Sequence, residues 1–143
     1  MAITGIIFNG MNILLFRIND FYFSLTLLYL GCFMACMMFP AHEVISLLSF
    51  GKFNSLVFVG GIVLAILFVI LLRQQVGVTP TKWMKRMIPH HSTAITTTTQ
   101  LLKNNPDLDP FTRKLANQII TSQIQEIKLM KEYLKNAGKN RMG

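Results

Sequence analysis

The chain has 143 residues, 52% of them hydrophobic and 14% charged, with a formal net charge of +8. That length fits one domain, but a mean hydropathy of +0.45 is high for a protein dissolved in water. The charge is also uneven: residues 73–143 hold 12 of the 14 Lys and Arg and 4 of the 6 Asp and Glu, so the second half bears the entire net charge, which argues against a single water-soluble globule.

Residues 3–16, ITGIIFNGMNILLF, are apolar but short and are interrupted by Asn9 and Asn12. They show no clear basic start or small-residue cleavage site of a signal peptide and are expected to form a short third span or an interfacial helix. Residues 21–39, FYFSLTLLYLGCFMACMMF, are an uncharged run of the length a bilayer core requires. Pro40 follows and is expected to end or kink that helix. The cysteines, Cys32 and Cys36, both fall inside this run, four apart on one helix face, where a mutual disulfide is not expected. With Met34, Met37 and Met38 they would make a soft-ligand cluster or simply pack. Residues 41–55 include an amphipathic stretch, HEVISLLSF, expected at the interface or as a continuation of the first span. His42 and Glu43 there would form a polar gate or a helix end. Residues 56–72, LVFVGGIVLAILFVILL, are the second clear span. Arg73, Lys82, Lys85 and Arg86 follow it, whereas Lys52 stands alone in the opposite loop. The positive-inside rule therefore places the second half on the cytoplasmic side. The anchor is thus residues 1–74 of a multi-pass membrane protein.

Residues 79–143 read as a helical hairpin domain. Thr79-Pro80 supplies an N-cap and a first helical residue, and a helix is expected to run to about Leu102. Its apolar stripe is Met84, Met87/Ile88, His91, Ala94/Ile95, Thr98 and Leu101/Leu102. Pro89 should kink it. After the loop KNNPDLD, Asp109-Pro110 opens a second helix, ending near Asn136 with Gly138 as its cap. Its broad apolar face includes Phe111, Leu115, Ala116, Ile120, Ile127 and Met130. The short connection makes the two helices antiparallel neighbours. Two helices alone cannot enclose a core, so pairing of two copies into a four-helix bundle is expected. The expected fold is all-α: two or three N-terminal transmembrane helices followed by this hairpin.

The basic residues are spread along both helices with no groove motif or aromatic-interleaved run, so anionic headgroups fit better than nucleic acid as their surroundings. The segment Met84-Lys85-Arg86-Met87-Ile88-Pro89-His90-His91 holds most of the ligand chemistry. Met84, Met87 and His91 share a face at helical spacing, and antiparallel packing could bring Glu126 and Met130 of the second helix close to them. Thioether with imidazole suits copper(I), whereas imidazole with carboxylate suits zinc, iron or copper(II). The competing reading is that methionines on an apolar face fill a core and that such a histidine is a hydrogen-bonded core residue. No hydrolase triad, phosphate loop, CxxC pair or HExxH is present, so an enzyme is not expected.

The segments MIPHHSTAI and RKLANQIITSQIQEIKLMK resemble family 305 of the domains of unknown function. Its pattern falls on Met87, Pro89, His90, His91 and Ala94, and on Gln123, Glu126, Ile127 and Met130. The anchor resembles membrane-bound members at residues 21–29, FYFSLTLLY, and 52–54, KFN. The resemblance implies a ferritin-like bundle with copper as the suspected ligand, as in copper-resistance members, and a hairpin outside the cytoplasm, against the charge count. Soluble members often have two hairpins where this chain has one, which again implies pairing.

The function expected is metal binding or copper homeostasis at a membrane, through His90, His91, Met87, Glu126, Met130 and Met84. The alternative is a structural membrane protein or assembly factor, a virion membrane component included, whose hairpin joins copies without metal.

Overall fold

A computed structural model describes residues 10–139, and among these the chain is all-helical. It divides into two compact units.

The first unit holds helices α1 (Leu25–Phe50) and α2 (Ser55–Arg73). At 1.5 Å per residue, their 26 and 19 residues measure about 39 and 28 Å. Both are long and apolar enough to cross a bilayer core of about 30 Å. Apolar helices stand where the sequence put its two apolar runs, but α1 begins at Leu25, and Pro40 lies inside it: of the two readings of residues 41–55, the helix takes the continuation, to Phe50. Proline leaves the carbonyl four residues back without its helical partner. That carbonyl, of Cys36, lies against α2 at Gly61, where an added Cβ would sit 3.2 Å from it, 2.7 Å from Pro40 Cδ and 2.9 Å from Phe39 Cβ. The absence of a side chain at Gly61 is what allows the helices to approach there, in the manner of small-residue contacts between membrane helices. Gly31, Cys36, Gly61 and Ala65 are the buried small residues of this pair.

The turn of the apolar hairpin is closed by polar groups. Gly51 ends α1 with φ of 65°, a left-handed cap that favours glycine. Asn54 caps α2, accepting from Leu56 N at 3.1 Å and Val57 N at 3.2 Å. The Glu43 carboxylate accepts from Asn54 N at 2.7 Å and meets His42 Nδ1 at 3.4 Å. A carboxylate at a helix N-terminus also favours the dipole, so Glu43 ties the end of α1 to the start of α2. At the opposite end, Tyr29 Oη donates to Val76 O at 2.8 Å and Thr26 Oγ1 to Gln75 Oε1 at 3.2 Å.

The second unit holds α3 (Pro80–Asn104) and α4 (Pro110–Lys139), packed together as expected from their short loop, plus residues 10–24. The capping signals are realised: Thr79 Oγ1 accepts from Lys82 N at 3.4 Å, and Asp109 Oδ1 from Thr112 N at 2.9 Å. Pro89 is buried inside α3. Gly138 lies within α4 and does not end it.

The strap formed by residues 10–24 differs from the sequence expectation. Residues 3–9 of the third-span candidate lie outside the described residues. From Gly10 the chain makes one helical turn (Gly10–Ile13), a bend and a 3-10 turn (Ile18–Asp20), seated on the α3–α4 hairpin. Residues 10–24 group with the second unit. The core of that unit is Ile88, Ile95, Ile127 and Met130, with Tyr22 of the strap, Met84, Met87, Ile120 and Leu134 packed around it. A part of the apolar stripe that two helices would leave bare is thus covered within one chain.

Candidate functional site

Three buried residues on α3, Ile88, Ser92 and Ile95, point into the core at i, i+4 and i+7. A serine among isoleucines must have its hydroxyl satisfied. Ser92 Oγ donates to Asp20 Oδ2 at 2.7 Å and accepts from Phe16 N at 2.8 Å. Lys131 of α4 donates to Asp20 Oδ1 at 2.5 Å. Asp20 is 1% exposed, so strap, α3 and α4 meet at a buried carboxylate. Sequence reasoning missed this node entirely. Asp20 had one available signal, a lone carboxylate in an apolar stretch.

The sequence stripe had placed His91 at the core. The structure gives that position to Ser92, one residue on, and sets His91 at the flank, half-buried. There its ring is held from both sides. Nδ1 donates to Met87 O at 2.9 Å, and Nε2 faces Glu126 Oε2 of α4 at 2.8 Å. Two residues named from the sequence, one on each helix, are therefore brought into contact. His90 is exposed, its ring edge-on to His91 with centroids 5.9 Å apart. The part of the ring that is covered disfavours its charged form and lowers the His90 pKa, assisted by the positive charge of Arg86 and by His91. Burial likewise lowers the Arg86 pKa.

The methionines take a different place. Met130 is buried in the core, and Met84 and Met87 pack against it. Their position is that of core filler for the hairpin. Among the described residues no three His, Cys, Asp or Glu gather in one cluster.

These positions decide which ion the site would suit. An imidazole nitrogen and a carboxylate oxygen in contact form an N/O donor pair, with a second imidazole adjacent. That set fits copper(II) or zinc better than copper(I), which favours thioethers. The Nδ1 bond to a backbone carbonyl is the kind of support that fixes a ligating tautomer and directs Nε2 outward. His91 and Glu126 would hold such an ion.

Residues 80–143 match a family model described as Domain of unknown function (DUF305). No curated protein and no solved structure matches the chain.

Proposed function

We propose that the chain, whose residues 80–143 match the model of the DUF305 family, is a membrane-anchored metal-binding protein whose helical hairpin takes up copper(II) or zinc. The helices α1 and α2 serve as two spans, and the second unit stands in water on one side. The ferritin-like bundle and the copper role implied by the resemblance belong to this proposal. So does pairing of two copies, for which Leu101, Phe111 and Leu115 remain exposed.

The observation that carries the reading is the His91–Glu126 contact of 2.8 Å between helices, with Nδ1 fixed on Met87 O. It offers a pre-oriented nitrogen and an oxygen at a single point. His90 stands beside the pair, its ring edge-on to His91 with centroids 5.9 Å apart. Calorimetric titration of the full-length protein in detergent with Cu(II), Zn(II) and Cu(I) tests it. Binding of Cu(II) or Zn(II) should weaken by at least about tenfold in His91→Ala or Glu126→Gln, given the loss of one ligand in a small set. Affinity unchanged in both variants would defeat the proposal.

A second reading is favoured by the same contact. His91 and Glu126 already touch without an ion, so the pair can act as a structural clamp between α3 and α4. In that case no ion binds, and His91→Ala lowers only the unfolding midpoint.

A further inference from the structure

We propose that a concavity at the open end of the α3–α4 hairpin binds the phosphate of an anionic phospholipid headgroup, an inference that rests on α1 and α2 being spans. The cavity, ≈ 390 Å³, is lined by Tyr22 of the strap, Thr81 and Lys85 of α3, and Lys131, Leu134 and Lys135 of α4. None of its lining residues is acidic.

Three ammonium groups from two helices thus converge on one hollow. Lys131 and Lys135 are one turn apart on α4, a spacing at which like charges repel, and Lys85 adds a third charge from the facing helix. Asp20 pairs with only one of them, Lys131. Lys85 and Lys135 are exposed. A dianionic or monoanionic phosphate is the counter-charge that such a set accommodates, through charge-assisted hydrogen bonds. The hydroxyls of Thr81 and Tyr22 offer further donors. Leu134 and the Tyr22 ring give the hollow an apolar wall, which suits the glycerol and first methylenes of a lipid more than a free ion.

Covalent reach favours the lipid as well. Tyr22 precedes α1 by three residues, and Thr81 follows α2 by eight. At about 3.5 Å per extended residue, the chain keeps them within roughly 11 and 28 Å of the adjoining ends of the two spans. The shorter tether, from Tyr22 to α1, is comparable with the Debye length over which anionic headgroups attract basic side chains.

The test uses the full-length protein. Alkaline carbonate extraction of membranes comes first, and release of the chain would remove the premise and the inference together. Native mass spectrometry of protein exchanged from mixed phosphatidylcholine and phosphatidylglycerol then counts the lipids retained. We expect selective retention of phosphatidylglycerol, weakened on the order of thirty-fold in Lys85→Ala/Lys135→Ala. The distal charge-matched control, Lys103→Ala/Lys114→Ala, should retain lipid as the parent does. Equal retention by the parent and Lys85→Ala/Lys135→Ala, or equal loss in both double variants, overturns the site while leaving the membrane anchor standing. Displacement of the lipid by millimolar inorganic phosphate would reassign the hollow to soluble phosphate and overturn the lipid as occupant.

Discussion

Asp20 sits where an ion pair is least replaceable by half. Its carboxylate is enclosed, and both its partners, Ser92 and Lys131, belong to other elements. Removing one member of a buried pair leaves the other charge without compensation, whereas replacing both by apolar groups of similar volume is often tolerated. Lys131→Met should therefore destabilise the second unit by about 3 kcal/mol, and Asp20→Leu/Lys131→Met by clearly less. Hydrogen-exchange protection of α3 and α4 amides in detergent would read both; a double variant as damaged as the single would count against a desolvated pair. His90 gives a pH dependence of definite sign. Burial first, then Arg86 and His91, lower its proton affinity in the folded state. A histidine that binds its proton more weakly folded than unfolded has no effect on stability above the ordinary imidazole range. It lowers stability as the pH falls through about 6.5. Thermal midpoints of the metal-free protein should thus drop between pH 7 and 5, and the drop should shrink in His90→Gln. An unchanged profile in that variant would show that other groups cause it.

The elements differ in how much of their environment is local, and that decides what a sequence can show about them. Gly61 is a contact between elements: its missing side chain is matched to Pro40 and Phe39 across the hairpin. Gly61→Leu should force α1 and α2 apart, costing on the order of 1–3 kcal/mol or more as overpacking. Gly60→Ala, where a Cβ meets nothing within 4 Å, should be neutral. Detergent-to-SDS unfolding of the two variants would separate them, and equal effects would refute the contact. Both apolar helices were legible because about 20 apolar residues in a row stand out from the rest of the sequence. Thr79-Pro80 and Asp109-Pro110 were legible because caps are local chemistry. The continuation of α1 through Pro40 was legible only as one of two readings, since the choice depends on an approach by α2 that no local pattern reports. The strap was illegible for the same reason: Asp20 and Lys131 stand 111 positions apart. In the candidate site, the spacing brought His91 and Glu126 to the right helices. The methionines of the same stripe could not be sorted into ligand or core until the facing helix fixed which side was enclosed.

At the scale of the molecule, the strap constrains topology. Residues 10–24 belong with α3 and α4, and α1 and α2 lie between them in the chain. If both of those helices cross the bilayer, residues before α1 and after α2 share one side, which is what the strap requires. Asn19→Cys and Lys103→Cys should accordingly react with a membrane-impermeant maleimide from the same face of sealed vesicles. Labelling from opposite faces would mean an odd number of crossings and would break the two-span arrangement. The strap also has an implication in time. Synthesis proceeds from the N-terminus, so Asp20 leaves the ribosome long before Ser92, 72 positions later, and Lys131, 111 positions later. Throughout that interval the carboxylate has neither of its mates. The domain can close only after α1 and α2 have been made; if those helices cross the bilayer, a chain whose insertion fails would be left with an unclosed domain for quality control to detect.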